Sequence, residues 1–242
     1  NVLGEYLLLI IPFVVSYFFS VEGLLKKGFF FIVGCVLMLC LILTYSRGCW
    51  LGILFAAVIF LILLDRRFII LALLGLAIMP FVLPETIINR FMSIGNMEDS
   101  STSYRFYIYM GTIHMLNDYW LSGIGPGQSA FNKVYPYYGY NGISAPHAHN
   151  TFLQVMCDTG ITGIVLLLAI IYQFYKLLFR SYLDTKDKAT KLFTIGFMSS
   201  LSGFLVQSLF DYTFYNYRVM IFFWIYVALG AVATGYASLK EE

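Results

Sequence analysis

Arginine and histidine are the residues of this chain whose types and spacing could carry chemistry. Arg47 follows one apolar block, Arg105 stands in a polar helical run and Arg218 opens another apolar block. A guanidinium is always charged and presents forked donors that match phosphate oxygens, so such groups at helix mouths suit a diphosphate ligand. The competing structural reading is that each arginine anchors a helix end by snorkelling, or pairs with a carboxylate such as Glu5 or Asp211. Arg90, beside Phe91, fits that anchoring role better. His149, within Ala145-Pro146-His147-Ala148-His149-Asn150, is the candidate general base, because imidazole titrates near neutral pH and can take a proton from a hydroxyl nucleophile. Asn150 is placed to orient it, and His147 is a weaker second imidazole. The structural alternative is a histidine that only caps the helix continuing through Thr151-Phe152-Leu153-Gln154. The His-x-His spacing also raises a metal, but the chain has 3 histidines and no carboxylate at ligand spacing beside them, so the reading is no metal and no cofactor. Asp158 and Asp211 remain as electrostatic partners for an arginine or an imidazolium.

The elements that must position these groups are membrane helices. Of 242 residues, 60% are apolar and 12% charged, whereas a soluble domain carries about a quarter charged residues. The apolar residues fall in blocks long enough to cross about 30 Å of hydrocarbon as helices, without the short alternation of a membrane barrel. The fold class is therefore all-α, a polytopic transmembrane helix bundle of about seven spans near 3–20, 28–45, 49–64, 68–84, 161–179, 192–210 and 218–237. The connector Asp65-Arg66-Arg67 is too polar for lipid and splits the third and fourth blocks into two short helices. A net charge of +2 without basic stretches interleaved with aromatics argues against a nucleic-acid partner. Cys35, Cys40, Cys49 and Cys157 have no CxxC spacing and read as small packers. The first residues lack a basic n-region and a cleavage site, so the chain reads as a fragment rather than as one opened by a signal peptide.

Lys and Arg crowd alternate connectors: Lys26-Lys27, Arg66-Arg67, the run from Lys176 to Lys191, and Lys240. These ends are expected to be cytoplasmic, which puts Arg47, Arg218 and the long segment 85–160 on the opposite face. That count also expects an odd number of spans ahead of Asn1 if the native N-terminus is cytoplasmic. The domain reading is four transmembrane helices over 1–84, an extracytoplasmic loop with amphipathic helices over 85–160, and three transmembrane helices with a cytoplasmic tail over 161–242. The loop is far longer than ordinary connections and rich in aromatics and glycine, which marks it as functional rather than disordered. Ser100-Ser101-Thr102-Ser103 reads as a capping run ahead of a helix from Tyr104 to about Asn117 that lies on the membrane face. Gly123-Ile124-Gly125-Pro126-Gly127 forces a turn. Tyr119, Trp120 and the tyrosines between Tyr135 and Tyr140 could stack on sugars, though aromatics at this depth more often form an interfacial belt.

His149-Asn150, nine residues, then Gly160-Ile161-Thr162-Gly163 resembles the motif of the O-antigen ligase and O-antigen polymerase superfamily of bacterial envelope enzymes. Thr44-Tyr45-Ser46-Arg47-Gly48 with Trp50-Leu51-Gly52, the Ser103-to-Arg105 segment, and Leu121-Ser122-Gly123-Ile124-Gly125-Pro126-Gly127 resemble further pieces of the same family, in the same order. The resemblance implies a multi-pass glycosyltransferase of GT-C type in the bacterial cytoplasmic (inner) membrane, working on the extracytoplasmic face without nucleotide sugar or metal. Its partners would be membrane lipid, a glycan linked to undecaprenyl diphosphate, and a hydroxyl acceptor on a glycan, a lipid A core or a protein. By position Arg47 and Arg105 would hold the diphosphate and His149 would activate the acceptor, while Arg218 and Asp211 match more loosely. Diphosphate is a good leaving group, so positioning, one base and cationic charge suffice for the chemistry.

Two other classes compete with the enzyme reading. A transporter or flippase for a lipid-linked or anionic solute would also use inward-facing arginines, but it should show buried charges and paired Gly/Pro breaks in its spans, and the expectation here is that the spans carry neither. A non-catalytic scaffold for polysaccharide export would use His149 only as a cap. Within the enzyme reading, repeat-unit polymerase stands ahead of ligase.

Overall fold

The computed structural model describes residues 1–82 and 84–240, and all regular structure among them is helical. Leu83, within the expected fourth span, and the last two residues of the expected tail lie outside the described residues. The helices are α1 (Val2–Ser20), α2 (Leu24–Leu43), α3 (Arg47–Asp65), α4 (Ile69–Val82), α5 (Glu85–Met92), α6 (Ser100–Tyr119), α7 (Gln128–Val134), α8 (Thr151–Asp184), α9 (Lys188–Ser208) and α10 (Tyr217–Lys240). Single 3₁₀ turns lie at Arg66–Phe68, Tyr135–Tyr137 and Thr213–Tyr215. Among the described residues six helices, α1, α2, α3, α8, α9 and α10, are long and apolar enough to span a bilayer. The expected span over 68–84 becomes a helix of 14 residues, which at about 1.5 Å per residue falls short of an unthinned hydrocarbon core. The polar connector before it forms the 3₁₀ turn, so α3 and α4 are separate helices, as the charge of Asp65-Arg66-Arg67 requires.

The chain forms two compact units. A span unit contains Asn1–Ile88, Gln173–Gln207 and Asn216–Glu242, and a loop unit contains Asn89–Tyr172 and Ser208–Tyr215.

In the span unit α1 packs against α2, α3 and α10. Leu7, Leu8, Ile11, Leu41, Cys49, Ile53 and Ala56 form its buried core. Much of α2 points outward, with Phe29, Phe31, Ile32, Val36 and Leu39 exposed, an apolar face of the kind that suits lipid. The reversal from α2 to α3 is made at Tyr45, whose φ is 52°. There the Thr44 hydroxyl donates to Leu41 O at 2.6 Å and the Trp50 indole N–H to the same carbonyl at 3.3 Å, so an orphan acceptor at the end of α2 is satisfied. Without a hydrophobic drive between helices in lipid, close contact relies on small residues. A Cβ on Gly52 would stand 2.6 Å from Gly203 O, so α3 and α9 touch backbone to backbone there. One expectation fails in this unit: a span does carry a buried charge. Glu5, in the first turn of α1, is 3% exposed and accepts from Gln207 Nε2 at 3.5 Å. A carboxylate near a helix N-terminus is favoured by the helix dipole, which offsets part of the cost of this depth.

The loop unit is built on α6. Asp99, rather than the serine run, caps it: the Asp99 carboxylate accepts from the Thr102 backbone N–H at 2.9 Å. Ile108, Gly111, Thr112, Met115 and Leu116 form its buried stripe at i, i+3, i+4, i+7 and i+8. Against it pack Phe131, Tyr135, Ala145, Ala148 and Cys157, with Phe131 and Tyr135 stacked at 4.9 Å. The helix α8 starts at Thr151 rather than at about residue 161, and it kinks at Gly160, where φ is 66°. Two of the sequence motifs meet at this kink. Ile124 N donates to Cys157 O at 2.7 Å and Ile161 N to Trp120 O at 2.8 Å, clasping the Leu121–Ile124 turn onto α8. A Cβ on Gly160 would strike the Leu121 carbonyl, and one on Gly123 would stand 2.6 Å from Cys157 O, so both positions admit only glycine. Gly160→Ala is therefore expected to cost the loop unit more than the about 1–3 kcal/mol of a strained backbone alone. Lowered thermal stability of the purified variant, with Gly28→Ala, where an added methyl meets open space, as the in-helix comparison, measures this.

Candidate functional site

The loop that carries the two histidines is fixed at both ends. Ala145 and Ala148 are buried in the core of the loop unit, and Ala148 N donates to Gln154 Oε1 at 2.7 Å. Asn150 caps α8: its side-chain oxygen accepts from Phe152 N at 2.9 Å and Leu153 N at 3.0 Å. The cap therefore falls to Asn150 and leaves both imidazoles unspent. His149 sits at φ 49°, a left-handed conformation unusual for a residue with a Cβ, and such strain collects where the surroundings over-determine a site. Its N–H donates to His147 Nδ1 at 3.2 Å, and the two rings lie 4.2 Å apart.

A second segment, Ser208–Tyr215, comes from the far end of α9 and completes the site. His149 Nδ1 lies 3.2 Å from Asp211 Oδ1, with both side chains mostly shielded. An ionised carboxylate offers only lone pairs, so the proton of this contact belongs on Nδ1 and the Nε2 lone pair is left for another partner. The Asp211 oxygen is itself steadied by Tyr212 N at 3.0 Å. Thr151 Oγ1 donates to Asp211 O at 3.1 Å and accepts from Thr213 N at 3.0 Å, and Asn150 Nδ2 donates to Leu209 O at 3.1 Å. The base and its carboxylate are thus sewn together through backbone as well as side chains.

Arg105, one turn into α6, donates from Nη1 to Ser101 Oγ at 2.7 Å, while its buried Nε has no hydrogen-bond partner among the described residues. Burial pushes the His147 imidazole down to about 4; the nearby His149 ring and the Arg105 guanidinium push the same way, and Asp211 opposes them. Burial raises the Tyr109 phenol to about 12, with Arg105 opposing and Asp211 adding to the rise. The Arg105 charge is thus within electrostatic reach of His147 and Tyr109. Tyr104 meets the His149 ring edge-on at 5.8 Å, and Tyr215 packs on His147 at 4.7 Å.

The structure brings together His149, His147, Asn150, Asp211 and Arg105 in the loop unit. Arg47, first residue of α3, and Arg218, near the start of α10, belong to the span unit. Arg218 is exposed and lies along Tyr217, its Nε donating to the Tyr217 hydroxyl at 3.2 Å. Asp211, and not Asn150, holds the His149 ring. His147, His149 and Asp211 each offer one ligand atom, all within 4.8 Å of one another, so the carboxylate missing beside the histidines in sequence is supplied by the fold. Two imidazoles and a carboxylate could hold a divalent ion. Sequence reasoning passed over Tyr109, Thr151 and Thr213; the one available signal was that Tyr109 stands four residues after Arg105, on the same helix face.

Comparison with known proteins places residues 29–168 in the family model described as O-antigen ligase. The teichuronic acid biosynthesis protein TuaE of Bacillus subtilis (strain 168) is 25% identical over 234 residues, covering 89% of this chain and 47% of that protein. The chain thus spans about half the length of the curated relative it matches.

His147 gives a pH prediction. Its folded-state value of about 4 lies below the ordinary 6.5, so between these values the unfolded chain binds more protons than the folded one. The contribution is complete above about pH 6.5 and is lost as pH falls toward 4. Amide protection in the loop unit, taken relative to the intrinsic exchange rate at each pH, should fall as the pH drops across that window, and should fall less in His147→Asn.

Proposed function

Because the chain belongs to the O-antigen ligase family, we propose that it is the core of a membrane glycosyltransferase that moves a glycan from undecaprenyl diphosphate to a hydroxyl acceptor. The observation that carries this reading is the His149–Asp211 contact at 3.2 Å, which leaves His149 Nε2 as a proton acceptor. A relative named for teichuronic acid biosynthesis supports a place in glycan assembly, with repeat-unit polymerisation ahead of ligation to a lipid A core or a protein.

In this mechanism the acceptor hydroxyl gives its proton to His149 Nε2 as its oxygen bonds to the anomeric carbon, and the bond from that carbon to the diphosphate oxygen breaks. Asp211 stabilises the imidazolium that forms, without taking the proton itself. The charge growing on the departing diphosphate is met by Arg105; Arg47 and Arg218 are the further diphosphate-ligand candidates that the family resemblance offers. His147, held neutral by burial, accepts from the His149 backbone N–H and so helps fix the ring. Asn150 supports the site by starting α8 directly behind it. The polyprenyl tail stays in lipid while its head group reaches the site at the extracytoplasmic face of the cytoplasmic membrane.

Guanidinium charge can meet a departing diphosphate in place of a Lewis acid, and on this reading the reaction proceeds without a metal. Transfer from a defined undecaprenyl-diphosphate oligosaccharide by the purified protein should persist in EDTA; loss on chelation and recovery with a divalent ion would reassign the two histidines and Asp211 to metal binding. His149→Ala should lower kcat by about 10²–10⁴-fold with the protein still inserted, the usual range for a lost general base. An export scaffold or a transporter would instead leave glycan assembly intact in that variant.

A further inference from the structure

The Tyr109 hydroxyl stands 3.0 Å from His149 O and 3.1 Å from Leu209 O. It has one proton and faces two backbone acceptors, one on the residue carrying the imidazole and one two residues before Asp211. We propose that Tyr109 is the positioning residue of this centre, tying α6, and with it Arg105, to the backbone of both His149 and the Asp211 segment. The inference rests on the glycan-transfer reading.

Three features make this contact more than an ordinary surface bond. First, His149 is held at φ 49°, and a carbonyl in that conformation turns away from any helical partner, so an external donor fixes the peptide and the ring direction. Second, the Leu209 carbonyl also accepts from Asn150 Nδ2 at 3.1 Å, so Tyr109 and the cap of α8 converge on one atom of the Asp211 segment. Removing the phenol proton loosens both segments at once. Third, Tyr109 follows Arg105 by four residues, and its neighbours Ile108 and Thr112 are fully buried, so α6 cannot turn to recover the contact elsewhere. Burial holds the phenol protonated at every physiological pH, which makes it a constant donor rather than a competing base.

Tyr109→Phe keeps the ring and removes only the donor. With the defined undecaprenyl-diphosphate oligosaccharide as donor, this variant of the full-length protein should lose about 10–100-fold in kcat with KM within about twofold, because misplacement acts on the reacting geometry more than on substrate capture. In an Asp211→Asn background the further loss should shrink to about twofold or less, since both residues act through the same imidazole. Wild-type kcat in Tyr109→Phe, or losses that multiply in the double variant, would overturn the proposal. A drop only in the amount of folded protein, with kcat per folded molecule unchanged, would make Tyr109 merely structural and overturn it equally. Wild-type protein that transfers nothing would sink the glycan-transfer reading itself, and this inference with it.

Discussion

One contact between residues 62 positions apart organises the loop unit: an imidazole nitrogen against a carboxylate oxygen, His149 against Asp211. Taken alone it is a modest interaction, since both groups are part-buried and such pairs gain little net energy. Its importance is geometric. It selects which ring nitrogen carries the proton, and it needs the loop after residue 144 and the segment after α9 to arrive at one place. The Asn150 cap, the Thr151–Thr213 hydrogen bonds and the buried Ala145 and Ala148 all serve that arrival.

The bilayer sets the other constraint. In hydrocarbon each backbone polar group must be satisfied within the chain, which leaves helices as the elements available for spanning and small residues as the means of close packing. The Gly52–Gly203 approach in the span unit follows from this. In the loop unit the same economy of volume appears at Gly123 and Gly160, where two motifs far apart in sequence share backbone hydrogen bonds. Their glycines, and the kink of α8 at Gly160, are explained by the meeting of two backbones.

Much of this was legible in the sequence. Apolar blocks announced the helices, and Asp65-Arg66-Arg67 announced the break between α3 and α4, because charge in lipid is costly regardless of tertiary context. The positive-φ turn around Gly123–Gly127 was legible for the same local reason. Boundaries were less so: α6 begins at an Asp99 cap rather than within the serine run, and α8 reaches back to Thr151 because Asn150 can cap it and Gly160 can kink without ending it. The sequence offered Asp158 and Asp211 alike as partners for an imidazolium and could not choose between them, since a pairing across 62 residues leaves no local spacing; the fold sets Asp211 on the ring and turns the adjacent Asn150 to capping α8. Buried Glu5 escaped for a similar reason: its depth depends on how α1 packs, not on its own block.

The tautomer of His149 tests the central claim most directly. The chain has only 3 histidines, so a sample labelled with ¹⁵N in histidine alone, compared with the same sample of a His149→Asn variant, isolates the ring in question. At the pH of maximal transfer the account predicts a neutral His149 protonated on Nδ1 with a bare Nε2. A His149 ring protonated on Nε2, or on both nitrogens, would contradict it, because no lone pair would then face the acceptor hydroxyl.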